Sequence, residues 1–421
     1  MSVLTRLPAL AAILLFSAAT LCTAAETASP GQLFGTGQGY FHPTLQVATE
    51  YSDNYKATAD NEQSDWKTTV SPGFWIAVPA SRSNIFSIVS SNKAPGGKGV
   101  SRFQDEEFKG FQGSLMYNAD IVRSHDHSDE DVTKHRGQGM LQYAFPGGLA
   151  LELSDVYIQS ADEYDVASGD ELDEYNSNLA NLVVFYEHSP KLRLRVGYSN
   201  YKLDYTSGTD VDYKERTDDQ VSSYLIYRVL PKTELFVQYD HINVDYDLDV
   251  LADSTEQHLF LGVKFDSNAR ITGHAKIGYG KYETDNAQDD TFDDFIGEAY
   301  LGYAFGSASK LSLIARQSVD ITDDDIYQNI LHREIGLALS QQLSYKVGAT
   351  LRAAYKEDEY RFDSDQSGRE DDYKVAGVNV SYAMRDWLKL GVDYHYTDRD
   401  SNVAIEEYVE NRVMFTIAAA F

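Results

Sequence analysis

The chain is poor in cysteine, methionine and proline: of 421 residues, one is Cys, five are Met and nine are Pro. The single thiol, Cys22, falls inside an N-terminal segment, Met1–Ala25, that reads as a cleaved secretory signal peptide. It has one basic residue, Arg6, then an apolar run from Leu7 to about Leu21. Small residues Thr23-Ala24-Ala25 follow, and polar sequence begins at Glu26. Leu21 stands where a lipoprotein signal would want a small residue, so no lipid anchor is expected. Removal after Ala25 leaves a mature chain without cysteine, which excludes disulfides, thiol catalysis and thiolate metal centres. Past Ala25 no apolar stretch reaches 18 residues, so no transmembrane helix is expected. Basic residues are outnumbered, 36 Lys and Arg against 65 Asp and Glu; the formal charge of −29 becomes −30 once Arg6 is lost. Such an acidic chain is not expected to bind nucleic acid, which needs a basic surface.

What is abundant is aromatic: 30 Tyr, 19 Phe and 3 Trp. An exported, acidic, tyrosine-rich chain without cysteine suits an outer-membrane barrel of a Gram-negative bacterium. The strands of such barrels alternate lipid-facing and lumen-facing residues and so escape a helix-style hydropathy scan.

The organisation is a two-strand repeat. Turn signals recur at Pro79-Ala80-Ser81, Pro146-Gly147-Gly148, Ser189-Pro190-Lys191, Leu230-Pro231-Lys232, Asp266-Ser267-Asn268, Gly306-Ser307-Ala308, Gln342-Leu343-Ser344 and Met384-Arg385-Asp386. From the second onward they stand about 40 residues apart, the size of a hairpin with a loop. Between them lie acidic connections: Ser160–Glu174, Ser207–Asp219, Asp285–Asp294, Thr322–Gln328, Asp363–Asp372 and Asp398–Glu407. Short turns at one end and long loops at the other match the periplasmic and extracellular sides of a barrel.

Period-two alternation supports strands. Leu388, Leu390, Val392, Tyr394 and Tyr396 oppose Lys389, Gly391, Asp393, His395 and Thr397. Leu192, Leu194, Val196 and Tyr198 oppose Arg193, Arg195, Gly197 and Ser199. A face carrying arginines must meet water. The last residues alternate in the same way, and Phe415, Ile417, Ala419 and Phe421 read as the C-terminal assembly signal recognised by the barrel-assembly machinery. One strand on each side of each turn, with a first near Gly39–Tyr55 and a last near Glu407–Phe421, predicts an all-β antiparallel transmembrane barrel of about 18 strands, with 16 or 20 as alternatives. The expected plan is a signal peptide at 1–25, a flexible leader at 26–38 and a barrel at 39–421. The one irregular interval is read as a long loop insertion at about 94–131, on the extracellular side. Alternatively Phe111–Arg123 is itself a strand and the count rises to twenty.

Two stretches resemble a known family. They are Tyr394-His395-Tyr396-Thr397-Asp398-Arg399-Asp400-Ser401-Asn402 with Tyr408-Val409-Glu410-Asn411-Arg412 and the terminal Phe421, and His42-Pro43-Thr44-Leu45 leading to Tyr51-Ser52-Asp53-Asn54. Both are similar to the putative beta-barrel porin-2 family. The resemblance implies association with exopolysaccharide biosynthesis operons and a role as an outer-membrane exit port. The implied partners are outer-membrane lipid and lipopolysaccharide, the exopolysaccharide and its periplasmic export proteins. It carries over no catalytic residue and no cofactor. The other readings are a general or anion-selective diffusion porin, and a surface scaffold or adhesin using the acidic loops.

By alternation, Arg193, Arg195, Arg228, Lys264, Lys276, Arg316, Arg352, Lys389, Arg399 and Arg412 point into the lumen. They either guide an anionic solute or pair with luminal acids such as Asp393 and Glu152. Tyr201 and Tyr224 also fall on the luminal face, where rings could stack on sugars. Most other aromatics belong to the membrane girdle. Thr322-Asp323-Asp324-Asp325 and Asp285–Asp294 offer oxygen ligands, but their spacing matches no calcium loop. His125, His127 and His135 lie close in sequence without the spacing of a structural zinc site. His241 and His395, near acids, are the places an outer-membrane hydrolase would need a paired histidine; nothing else supports that chemistry.

Overall fold

A computed structural model describes residues 40–78, 110–161, 172–207, 211–268, 270–285, 291–321, 327, 329–362 and 367–421. The expected signal peptide and leader lie outside the described residues, as does Asp323-Asp324-Asp325.

The described chain is one antiparallel sheet of 18 strands. They are β1 (Phe41–Ser52), β2 (Asp65–Val78), β3 (Phe111–Ser124), β4 (Val132–Ala144), β5 (Leu149–Ala161) and β6 (Glu174–Ser189). Then come β7 (Leu192–Tyr205), β8 (Arg216–Leu230), β9 (Thr233–Tyr246), β10 (Ser254–Asn268), β11 (Ile271–Thr284) and β12 (Thr291–Ala304). The last six are β13 (Ser309–Ile321), β14 (Asn329–Gln342), β15 (Val347–Arg361), β16 (Ser367–Arg385), β17 (Leu388–Ser401) and β18 (Tyr408–Ala420). Each strand pairs with its neighbours in sequence, and β1 pairs with β18 from Thr44↔Ala420 to Ser52↔Arg412, so the sheet closes. Closure leaves no unpaired sheet edge to be buried in lipid, which is what a membrane-spanning sheet requires.

Alternation decides which face is which. In β7, Leu194, Val196 and Tyr198 are exposed, whereas Arg195, Ser199 and Tyr201 on the opposite face are buried. On an isolated barrel the exposed apolar residues are those that meet lipid. Strands of 12 to 19 residues exceed the 9 to 11 that a tilted strand needs to cross a bilayer, so the wall continues beyond the membrane as a rim.

Two aromatic rows bound the apolar band. Toward the short turns stand Tyr143, Tyr186, Tyr227, Tyr303, Tyr382, Trp387 and Phe421, with Trp387 and Phe421 stacked at 5.4 Å. Toward the long loops, outward tyrosines recur about every 40 residues, the hairpin repeat. Each donates to a neighbouring strand: Tyr157 to Asn176 (2.8 Å), Tyr198 to Asp219 (2.5 Å), Tyr355 to Asp372 (2.6 Å) and Tyr394 to Asn411 (2.7 Å). A phenol between hydrocarbon and a polar partner suits the interface.

The expected insertion at 94–131 is corrected. Phe111–Ser124 is β3, which pairs directly with β2 from Val78↔Gly113 to Lys67↔Ser124. The long connection runs from Val78 to Phe111 and leaves from the end of the short turns, the periplasmic side of such barrels. The strand expected just after Pro79-Ala80-Ser81 falls outside the described residues, and β3 takes its place, so the count stays at eighteen rather than twenty. Glycine and polar residues in β3 and β4 dilute the alternation that would have revealed them; on the outer face Leu115 and Tyr117 meet Gly139 and Gly137.

The other turns stand where the sequence placed them. At Pro146-Gly147-Gly148 both glycines have positive φ (97° and 89°), and a Cβ on Gly148 would lie 2.6 Å from the Glu187 carbonyl oxygen.

Candidate functional site: the luminal face

The inner face carries a network of paired charge. Arg193 and Arg228 both pair with Glu234, the second at 3.2 Å. Lys276 and His274 reach Glu298, each at 3.5 Å, and Arg316 stands opposite Glu298 on β13. Arg352 bonds Asp393 at 2.6 Å. Arg412 meets Glu410 at 3.1 Å, and Glu410 also accepts from Ser52 Oγ across the closing seam at 2.7 Å. Lys264 stands opposite Glu234 in the β9–β10 ladder, and Lys389 opposite Ala383 and Ala418 near the short turns.

The densest node surrounds Asp371. This fully buried carboxylate accepts from Arg369 (3.0 Å), Arg399 (2.7 Å) and Ser401 Oγ (2.6 Å). Glu406, in the turn before β18, binds the same two guanidinium groups at 3.0 and 2.8 Å. Arg369 lies 3.8 Å from the centre of the Tyr360 ring. A buried carboxylate is tolerable only when its lone pairs are filled in this way. Asp218 is equally buried and pairs with Arg216 at 3.2 Å. In sequence Asp218 and Asp371 fall in the acidic connections; both are strand residues, because the wall runs on into the rim.

Tyr201 and Tyr224 are buried under arginine rather than presented as open platforms. Arg216 lies 6.0 Å from the Tyr201 ring and Arg195 lies 5.2 Å from that of Tyr224. Cation–π contact takes the ring face a sugar would use. Tyr224 packs with Ile226 and Phe236, and Tyr201 with Leu179, Leu203 and Tyr205, so part of the inner wall is apolar.

The three neighbouring histidines do not converge. His125 bonds Thr68 Oγ1 (3.0 Å), the His127 ring lies 4.9 Å from that of Tyr55, and His135 bonds the Tyr117 hydroxyl on the outer face (2.8 Å). Among the described residues no group of three or more His, Cys, Asp and Glu side chains could hold a metal ion. Phe415 and Ile417, on the outer face of β18, and Phe421, just after it, are exposed in the row that faces lipid.

A closed antiparallel barrel, apolar outside between two aromatic rows and ion-paired inside, defines an outer-membrane β-barrel of the channel class. Within that class the chain belongs to the family described as Putative beta-barrel porin 2, whose model matches residues 114–421. The first-strand motif from His42 to Asn54 lies outside the matched span. No curated protein matches the sequence. Among solved structures, the chain is similar to OccK3 (OpdO) of Pseudomonas aeruginosa, at 12% identity over 93% of this chain and 97% of that one, with a TM-score of 0.47. It is also similar to the outer-membrane protein opdK of Pseudomonas aeruginosa (10% identity, 90% and 99% covered, TM-score 0.47). A third is OccAB4 of Acinetobacter baumannii (10% identity, 93% and 100% covered, TM-score 0.46).

Proposed function

We propose that this channel is a passive conduit for exopolysaccharide leaving the cell, reached after export with removal of a signal peptide. The observation that carries the reading is the pairing of luminal charge. Arg193, Arg352, Arg399 and Arg412 are each held against a carboxylate. Paired charges cancel much of each other's field while leaving N–H donors and carboxylate oxygens along the wall. A polyhydroxylated chain can exchange hydrogen bonds with such a wall in place of water, and no single strong charge would trap it. An anion filter would need unpaired cations instead, which makes the anion-selective porin the weaker reading. The outer rim, acidic loops and aromatic rows set the barrel in lipid and lipopolysaccharide but do not require an adhesive role.

A chromosomal deletion complemented with the wild-type chain tests this. Loss of secreted polymer with small-solute uptake intact supports the conduit. Normal secretion with altered uptake supports the diffusion porin and refutes export.

A further inference from the structure

The wall is not a continuous sheet all the way to its rim. β12 pairs with β13 only from Ala304↔Lys310 up to Gly297↔Gln317. On either side the ladders continue: β11 with β12 to Glu283↔Thr291, and β13 with β14 to Ile321↔Asn329. Beyond Gly297 and Gln317 the two strands therefore separate.

Where β13 and β14 go is fixed by two residues. Leu313, Ala315 and Gln317 share a strand face with Val319, and exposed Leu337 and Ile335 share one with Leu331. By alternation Val319 and Leu331 belong outside, yet they are 1% and 0% exposed. They form one apolar cluster with Phe260, Tyr282 and Ile296, which are inward residues of β10, β11 and β12. An outer face can touch its neighbour's inner face only if it has passed inside the wall. The described ends of β13 and β14, at Val319 and Leu331, are tucked into the barrel, behind β10–β12.

Polar contacts hold it there. Gln317 Nε2 donates to the Phe295 carbonyl at 2.7 Å, at the point where β12 loses its strand partner. The Tyr282 hydroxyl donates to the Val319 carbonyl (3.3 Å), and Arg361 of β15 bonds Asp294 of β12 (3.0 Å). In the repeat of outward tyrosines, Gln317 stands midway between Tyr279 and Tyr355. The residue that departs from the repeat is the one that caps the broken ladder.

We propose that the tucked end of β13–β14 is the fixed constriction of this channel, and that its inward face determines what passes. That face carries Asp320 and His332, with Glu334 and its β13 partner Arg316 just below and Lys356 and Asp358 of β15 beside them; His332 sits between Asp358 (Nδ1, 2.6 Å) and Asp320 (Nε2, 3.3 Å). Three carboxylates stand against Arg316, Lys356 and His332, so the constriction is close to charge-balanced and suits neutral sugar chains better than strongly charged ones. This rests on the reading of the barrel as a channel, but not on export of any one polymer.

Two measurements test it. In planar bilayers, Leu331→Glu places a charge in the apolar cluster and should expel the hairpin, raising single-channel conductance at least two-fold and admitting larger polyethylene glycols. Unchanged conductance and unchanged size exclusion would overturn the proposal. Independently of conduction, Val319→Cys provides the only thiol in the mature chain. It should resist a bulky maleimide in the folded barrel and react after heat unfolding. Rapid labelling of the folded barrel would show that the hairpin lies outside and would also overturn it. Because labelling needs neither current nor polymer, a failed tuck is distinguishable from a failed channel.

Discussion

Asp53, just past β1, grips Asn411 of β18 with both carboxylate oxygens. Oδ1 accepts the Asn411 backbone N–H at 2.7 Å and Oδ2 accepts its side-chain amide at 2.8 Å. Beside it, Asn54 Nδ2 donates to the Val409 carbonyl at 3.1 Å. These contacts join residues 358 and 355 positions apart, at the seam where the ring closes. Charged hydrogen bonds are worth about 1.5–3 kcal/mol. Asp53→Ala should therefore destabilise the closed barrel by roughly that much. In detergent it should lower the temperature at which the compact electrophoretic form is lost, with Asp53→Asn intermediate.

The outer face should be far less tolerant of charge than the inner one. Leu261 is 60% exposed and pairs with Val237 and Ile277 in the middle of the apolar band. Leu261→Arg should cost about 2–4 kcal/mol in lipid. Gly262→Ala, next to it, should also destabilise for a different reason: a Cβ there would meet the Phe236 ring at 2.1 Å. Equilibrium unfolding in lipid vesicles measures both. Only the first should depend on bilayer thickness.

Asp393→Asn removes the negative charge that bonds the luminal Arg352 guanidinium at 2.6 Å. The reversal potential in a salt gradient should move toward anion selectivity, and Arg352→Gln should move it the other way. Losing one partner of such a pair costs more than losing both, so the double variant should be closer to wild type in stability than either single change.

At the rim, Asp65 ties the start of β2 to the β3–β4 connection. Burial alone would raise its carboxyl. Hydrogen bonds from Ser124 Oγ and from the backbone N–H groups of Asp126 and Trp66 outweigh that and hold it below its ordinary 3.8. A depressed carboxyl stabilises the fold above its unfolded value, and the benefit is lost as pH falls through the folded value. Amide protection in residues 124–131, taken against the intrinsic exchange rate at each pH, should be high at neutral pH and fall below about pH 4. Asp65→Asn should lower it throughout.

Much of the barrel was legible in the residues. Leu194-Arg195-Val196 and Leu390-Gly391-Val392 show a period of two that only a strand satisfies, and Pro146-Gly147-Gly148 marks a turn by backbone geometry. The closing partner of Phe421's strand followed from the need to leave no edge. Less legible was anything that depends on distance in space. Asp218 and Asp371 look like loop acids because their stabilising arginines are recognisable only once strands are in register. Phe111–Ser124 was hidden because glycines opposite it on β4 weaken the pattern. The tuck of β13–β14 left one trace, a glutamine at position 317 in a series of tyrosines, and that series is visible only when the outer face is known.

The most direct test of the account is single-channel recording from the purified, refolded chain in a planar bilayer. A closed ring with a hydrated, ion-paired lumen predicts discrete, long-lived conductance steps that are weakly ion-selective and are interrupted by added neutral polysaccharide. Folded, membrane-inserted protein that passes no current would contradict it.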